Sequence, residues 1–151
     1  YPELEKKYPD IRYQVIGEGL SERFKNRYKH LNIDFLGYVD DIEPYRQSAA
    51  MLVAPLFSGS GMKLKVVEAL ASGLPVITTS IGAEGIEMES GRHYLHAEQA
   101  HDFSEQISRL IDDPELCKSI SGYARRLAID KFSWKQKAQE LERFLKESLI
   151  E

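Results

Sequence analysis

FSGSGMKLKVVEALASGLPVIT, residues 57–78, combines a glycine-rich loop, an apolar helix and an apolar strand. Its glycine-rich loop, Ser58 to Gly61, leads into an apolar helix predicted over Lys63 to Ser72, and a Gly-Leu-Pro stop then precedes an apolar strand over Pro75 to Thr78. Glycine lets the backbone approach a ligand closely, and a helix N-terminus presents unpaired amides and a positive dipole end. The stretch therefore predicts a site for a phosphate that carries a hydroxyl-bearing group.

Strand and helix patterns alternate on both sides of this stretch. Strands are predicted at 12–16, 33–36, 49–54, 75–78 and 94–96, and helices at 21–29, 40–48, 63–72, 103–111, 114–131 and 134–150. The continuous apolar strand at 49–54 indicates a parallel sheet buried on both faces. The alternation predicts a Rossmann-like α/β fold with a doubly wound parallel sheet, in which ligands bind outside the carboxyl ends of the strands. Residues 79–92 are predicted to be irregular.

Composition limits the classes of protein to which the chain belongs. Its 151 residues, of which 42% are apolar, suffice for one core, and the net charge of −4 argues against a nucleic-acid binder with a basic face. Cys117 is the single cysteine, so an internal disulfide or a multi-cysteine zinc site is excluded. The sequence contains no apolar run of membrane-spanning length and no visible targeting segment, which favours a cytoplasmic protein. The start at Tyr1, without methionine, suggests a fragment.

Glu68 is the residue of the stretch whose role is most open. Its near neighbours Val66, Val67, Ala69, Leu70 and Ala71 are all apolar. We therefore expect a helix that is buried on most sides, with a carboxylate retained for a ligand or a fixed partner. Lys65, three residues earlier on the same face, either pairs with Glu68 or neutralises a diphosphate at the loop. The glycine loop is likewise either part of that site or a flexible turn.

Several better-known sites are excluded by spacing. A P-loop needs glycine directly before its lysine, whereas Lys63 follows a methionine. The turn at residues 17–19 lacks the third glycine of a dinucleotide fingerprint. His93 and His96 are three residues apart, which on a strand places them on opposite faces, so they do not predict a metal pair. Ser60 has no nearby histidine to activate it, which argues against a hydrolase.

SGSGMKLKVVEALASGLPVITTSIGAEGI, residues 58–86, resembles the donor-binding half of group 1 glycosyltransferases, which have the two-domain GT-B fold. Three further pieces match in family order: VIGEG (15–19), FLGYVDDIEPYRQSAAMLVAPL (35–56) and FSWKQKAQEL (132–141). The resemblance covers the chain from about residue 9 onward. It implies a single nucleotide-sugar-binding domain, 1–151, that is the C-terminal half of such an enzyme and lacks its first strand and the N-terminal acceptor half. The final helix, 133–150, is then expected to pack on that missing half.

The resemblance also assigns roles to residues. It implies that Glu68 holds the ribose hydroxyls, that backbone around Tyr38 packs on the base, and that the loop amides line the diphosphate and the donor sugar. The full implied donor-binding set is Gly17, Gly19, Tyr38, Val39, Gly59, Ser60, Gly61, Met62, Lys63, Leu64, Lys65 and Glu68, with Lys63 and Lys65 as candidate diphosphate stabilisers. Ser60 stands where many members have a second glutamate that contacts the sugar. Residues 59–65 instead fit the Gly-x-Gly-x-basic-x-Lys pattern of a subset of the family.

The implied function is hexosyl transfer from a nucleoside diphosphate sugar to an acceptor hydroxyl, with retention of anomeric configuration and with no cofactor or metal. The implied partners are the nucleotide sugar, the missing N-terminal domain and an acceptor glycan or lipid-linked glycan, as in polysaccharide biosynthesis. Membrane contact is expected only through the absent domain, in the cytoplasm or at the inner membrane surface. The fragment alone is expected to be inactive. Two alternatives are a non-catalytic nucleotide-binding or interaction module of the same fold, and half of a sugar-nucleotide epimerase.

Overall fold

The computed structural model describes residues 2–148, so Tyr1 and the end of the predicted final helix at Leu149 and Ile150 lie outside the described residues. Helices and strands alternate over residues 2–112, and two further helices follow. In chain order they are α1 (Pro2–Lys7), β1 (Tyr13–Ile16), α2 (Glu22–Tyr28), β2 (Ile33–Gly37), α3 (Glu43–Ser48), β3 (Leu52–Ala54), α4 (Leu64–Ala71), β4 (Val76–Thr78), α5 (Ser80–Ala83), β5 (Leu95–His96), α6 (Ala100–Asp112), α7 (Pro114–Phe132) and α8 (Trp134–Ser148). The chain divides between Tyr45 and Arg46 into two compact units.

The first unit is built around two parallel strands. Tyr13 of β1 lies opposite Ile33 of β2, and the register shifts by one residue near the end of β1. The helix between the strands, α2, begins as predicted at Ser21, whose hydroxyl accepts the amide of Phe24 at 3.2 Å. The rings of Phe24 and Tyr28 lie 4.9 Å apart on one face of this helix.

The second unit contains a three-stranded parallel sheet in the order β3-β4-β5. Its central strand, β4, is buried along its whole length, which is typical of a parallel strand covered on both faces. At its end the hydroxyl of Thr78 donates to the carbonyl of Ala54 at 2.8 Å, and that of Thr79 donates to the carbonyl of Leu56. The predicted parallel arrangement is therefore present as two hydrogen-bonded sheets, one in each unit.

The helix α4 covers this sheet through one strongly apolar face. Val66, Ala69 and Leu70 are almost completely buried, and burial of a side chain such as Leu70 stabilises a fold by about 1.5–3 kcal/mol. The predicted Gly-Leu-Pro stop ends the helix with Gly73 at φ 73°, where its amide donates to the carbonyl of Leu70 and the Leu74 amide to that of Ala69. These two bonds form a Schellman motif, which satisfies the last carbonyls of the helix.

The helices α6 and α7 follow each other with a single residue between them. Asp113 ends α6 by donating its amide to the carbonyl of Arg109, and its carboxylate accepts the amide of Leu116 at 2.9 Å to begin α7. Phe103, Ile107 and Leu110 form the buried face of α6, and Ile120, Ala124 and Ala128 form that of α7, which contacts α4. Within residues 2–148, no helix has the length and apolarity needed to cross a membrane.

The region predicted to be irregular, 79–92, contains the short helix α5, so that part of the prediction was wrong. The Thr79 hydroxyl accepts the amide of Gly82 at 3.1 Å and starts the helix. Four residues are too few to show a helical hydrophobic period, and this is why the pattern missed it. Gly82 also packs tightly, because a Cβ atom there would lie 1.9 Å from the Oγ1 atom of buried Thr78.

We predict that Gly82→Ala destabilises the protein by about 1–3 kcal/mol, since the added methyl group has to displace the Thr78 hydroxyl from its bond to Ala54. The matched control is Gly122→Ala in α7, where nothing lies within 4 Å of the added atom. There we expect no loss, and a gain of up to about 1 kcal/mol from helix propensity. Denaturant or thermal unfolding measures both variants, and equal stabilities would contradict the packing described for Gly82.

Candidate functional site

The glycine-rich loop leaves β3 and is closed by Lys63. Gly59 and Gly61 have φ angles of 113° and 72°, in the region that side chains other than glycine adopt rarely. The Lys63 ammonium donates to the carbonyl of Gly61 at 2.5 Å and lies 3.8 Å from an oxygen of Glu84, with only 12% of the side chain exposed. Lys63 therefore stabilises the loop itself, and its ammonium group already contacts a loop carbonyl and a nearby carboxylate.

The N-terminus of α4 lies directly behind this loop. The amides of Val66 and Val67 both donate to the carbonyl of Lys63. Within residues 2–148, the amides of Leu64 and Lys65 have no such backbone acceptor, and the Lys63 side chain does not cap the helix. Unpaired amides at a helix start, with the positive end of the dipole, favour an anion.

The turn after β4 supports the loop from the other side. Gly85, at φ 75°, faces the backbone of Met62, whose amide nitrogen would lie 3.4 Å from a Cβ atom added to Gly85. The hydroxyl bonds from Thr78 and Thr79 join the same turn to the chain that leaves β3. The loop, the start of α4 and the segment after β4 therefore form one connected structure at the carboxyl edge of the sheet.

Glu68 is exposed, with 54% of its side chain accessible, so the prediction of a buried carboxylate was wrong. The buried face of α4 carries Val66, Ala69 and Leu70, whereas Ala71 is exposed and Val67 is only half-buried. The apolar neighbours of Glu68 therefore do not surround it. Its ion-pair partner is Arg46, whose Nη1 lies 2.8 Å from Oε2, and not Lys65, which is exposed and makes no ion pair within the described chain.

Sequence reasoning missed a cluster at the ends of β4 and β5. Glu98 accepts the Ser80 amide at 2.8 Å, and His96 Nε2 lies 2.9 Å from the same carboxylate oxygen. Hydrogen bonds from the Ser80 hydroxyl, the Ser80 amide and His96, in that order of importance, lower the pKa of Glu98 from its ordinary 4.5 to about 2. The cluster joins the start of α5 to the end of β5. In the sequence, the spacing of His96 from His93 is the pattern in this region, and that spacing does not indicate the cluster.

The remaining predicted site residues lie in the first unit. Gly17 and Gly19 follow β1, and Tyr38 and Val39 follow β2. The amide of Gly17 donates to the carbonyl of Gly37 at 2.8 Å, so the chain leaving β1 is joined to the end of β2. Tyr38 is exposed and Val39 half-buried. The first unit thus brings its four candidates to the carboxyl edge of its own sheet, and the other eight belong to the second unit.

Comparison with known proteins gives a family match over most of the chain. The family model described as glycosyl transferases group 1 matches residues 1–113. An uncharacterized glycosyltransferase of Methanocaldococcus jannaschii is 30% identical over 135 residues, which are 84% of this chain and 38% of that protein. The chain therefore spans well under half the length of the curated relatives that it matches.

Two solved structures share the fold. HepE of Anabaena, in complex with UDP and glucose, superposes with a TM-score of 0.82 at 18% identity, over 96% of this chain and 43% of that chain. The C-terminal domain of LpcC, a group 1 family glycosyl transferase from Francisella tularensis, superposes with a TM-score of 0.78 at 24% identity, over 87% of this chain and 75% of that chain. The predicted fold of a GT-B C-terminal domain is confirmed.

We predict that Glu98→Gln removes an acid-sensitive part of the protein's stability. Because the pKa of Glu98 is lowered to about 2 in the folded protein, its contribution is present above its ordinary pKa and is lost as the pH falls between about 5 and about 2. Melting temperatures across this range should show a difference between wild type and variant near neutral pH that shrinks towards pH 2. Glu105→Gln, on the exposed side of α6, is the control. A difference that does not change with pH would contradict the prediction.

Proposed function

Because the chain belongs to the group 1 glycosyl transferases, we propose that it binds a nucleoside diphosphate sugar and takes part in transferring the glycosyl unit to an acceptor hydroxyl. The observation that carries the proposal is the open N-terminus of α4 behind the closed glycine loop, with the exposed Glu68 carboxylate one turn further along the same helix. The UDP and glucose bound by HepE, which has this fold, support a nucleotide donor and a hexosyl unit.

The diphosphate is assigned to the start of α4. The amides of Leu64 and Lys65 point away from the helix they begin, and the dipole adds partial positive charge at the same place. Of the two lysines, Lys65 is exposed, whereas Lys63 already binds the Gly61 carbonyl and lies near Glu84. We therefore assign the charge opposite the diphosphate to Lys65, and the closing of the loop to Lys63.

The ribose is assigned to Glu68. Four residues of helix separate it from Leu64, a rise of about 6 Å along the axis, which suits a ligand whose ribose hydroxyls lie beyond its phosphates. A carboxylate oxygen accepts hydrogen bonds from two neighbouring hydroxyls without any change of protonation. The loop at Gly59 to Met62 then faces the donor sugar.

The transfer step breaks the bond between the anomeric carbon and the diphosphate and forms a bond to the acceptor oxygen, whose proton passes to a base or to the departing diphosphate. Negative charge increases on the departing diphosphate, so amides and a lysine that are already aimed at it stabilise the transition state. As the resemblance implies, we propose transfer with retention and with no metal or cofactor. The acceptor is a glycan or lipid-linked glycan. We assign its binding, and any base, to polypeptide outside this chain.

The helix α8 is proposed to contact that additional polypeptide. Its large apolar residues are exposed: Trp134 at 91%, with Leu141, Phe144 and Leu145 at about half or more. The spacing of these side chains forms one apolar stripe along an otherwise charged helix. A stripe of this kind is typical of a surface covered by another domain.

Ser60 favours a second candidate function, a nucleotide-binding module that does not catalyse transfer. Many members of the family have a glutamate at this position that contacts the donor sugar, and serine has no charge with which to do so. Binding of nucleoside diphosphates without consumption of any nucleotide sugar by the full-length protein would favour this alternative.

We predict that Glu68→Ala weakens donor binding and costs about 2–4 kcal/mol of transition-state stabilisation in the full-length enzyme, because two hydrogen bonds from ribose to a charged group are lost. Thermal unfolding with UDP, GDP and ADP first identifies the preferred nucleotide, since a ligand of the native state raises Tm. The matched control is Glu105→Ala, which changes an exposed helical glutamate on α6. Unchanged nucleotide binding and kinetics in Glu68→Ala would refute the assigned role.

We also predict that amides of α8 exchange hydrogen faster in the 151-residue chain than in the full-length protein, because its apolar stripe is covered only in the latter. Hydrogen exchange followed by mass spectrometry compares the two proteins directly, with α7 as the internal reference. Equal exchange rates in α8 would contradict the proposed contact.

A further inference from the structure

Arg46 forms an ion pair with Glu68 in which one partner is largely covered by protein. Its Nη1 lies 2.8 Å from the Glu68 Oε2 atom, and only 18% of the Arg46 side chain is exposed. By contrast, Lys137 and Glu140 on α8 pair with 51% and 54% of their side chains exposed. Pairs with both partners in solvent contribute little, because solvent screens them and both side chains lose freedom. In the Arg46 pair one partner is already covered by protein.

The geometry leaves one side of the Glu68 carboxylate available. Among the described residues, Oε2 accepts from Arg46, and no hydrogen bond is made by Oε1. A carboxylate has about four acceptor positions on its two oxygens, so one arginine bond leaves room for two ribose hydroxyls. A glutamate on a helix surface otherwise samples several rotamers. The contact with a covered guanidinium selects one rotamer before a ligand arrives.

We propose that Arg46 is a positioning residue, which holds the Glu68 carboxylate in the orientation that receives the ribose hydroxyls of a nucleoside diphosphate. The proposal rests on the function proposed above for Glu68. Preorganisation raises affinity because the ligand does not have to order the side chain that binds it. The positive charge of Arg46 also offsets repulsion between Glu68 and the two phosphates. Arg46 touches neither the ribose nor the phosphates.

Arginine suits this task better than lysine. Its guanidinium is planar and presents several donors in a fixed arrangement, so that it orients a carboxylate as well as neutralising it. A lysine at the same position supplies charge through one flexible ammonium group. Arg46→Lys is therefore expected to retain part of the effect, and Arg46→Met, of similar length and without charge, to retain none of it.

The test is a double-mutant cycle with two ligands. Arg46→Met, Arg46→Lys, Glu68→Ala and the double variant that combines Arg46→Met with Glu68→Ala are titrated by calorimetry in the full-length protein. The first ligand is whichever of UDP, GDP and ADP raises Tm most, and the second is its 2′,3′-dideoxy analogue. Lys146→Met, which removes the exposed ion pair with Glu142 on the polar face of α8, is the matched control. Tm of each protein without ligand reports whether the variant is folded.

We expect Arg46→Met to weaken binding of the ribonucleotide roughly tenfold and binding of the dideoxy analogue less than about twofold. In the Glu68→Ala background the same change should have almost no further effect, because the side chain through which it acts is absent. Lys146→Met should bind both ligands as the wild type does. If Arg46→Met does not fold, Arg46→Lys is expected to weaken binding of the ribonucleotide more than binding of the dideoxy analogue, by a smaller factor.

Three outcomes overturn the proposal and separate it from the function on which it rests. Equal weakening of both ligands by the Arg46 variants would mean a general structural role. A large effect of Glu68→Ala with none from Arg46→Met and Arg46→Lys would leave the proposed role of Glu68 intact and remove that of Arg46. An absence of any preference for the ribonucleotide in the wild type would refute the ribose assignment itself.

Discussion

The two threonine hydroxyls at the end of β4 hold the carboxyl edge of the second unit's sheet together. Thr78 donates to the carbonyl of Ala54 and Thr79 to that of Leu56, so both bonds hold the end of β4 to the chain leaving β3. Both residues are completely buried, and an unpaired hydroxyl or carbonyl there would carry its full desolvation penalty. Thr79 also begins α5. One pair of side chains therefore fixes both where the glycine loop leaves the sheet and where its supporting turn starts.

The two sides of α4 have different roles. One side packs against the core, and the other carries residues of the candidate site. Val66, Ala69 and Leu70 fix its position by burial against the core, and the Schellman motif at Gly73 fixes its end. The opposite side carries Lys65 and Glu68, which contribute little to that packing. Side chains on a rigid element keep their positions better than side chains on a loop. The polar side of α4 is thus not needed for the stability of the helix. Arg46, on α3, forms an ion pair with Glu68 on this side.

Local sequence patterns predicted most of the helices and strands, but they did not predict the contacts between them. The helix start at Ser21, the Gly73 stop and the apolar run at β4 are each encoded by a few adjacent residues, so their predictions were confirmed. The exposure of Glu68 was mispredicted because the sequence does not show which of its apolar neighbours face the core. The pairing of Arg46 with Glu68 joins residues 22 apart, and that of Ser80 with Glu98 joins residues 18 apart. Such pairs leave no periodicity in the sequence, since the strand connections alone bring them together.

The direct connection between α6 and α7 at Asp113 limits how chains of this fold can change length during evolution. One residue ends α6 and begins α7, so there is no loop in which an added residue would be absorbed. Each inserted residue would turn α7 by about 100° about its axis. That rotation would carry Ile120, Ala124 and Ala128 away from the core they now fill. We therefore expect insertions and deletions among related chains to accumulate in the glycine-bearing turns, and α6 and α7 to be inherited as one block of fixed length.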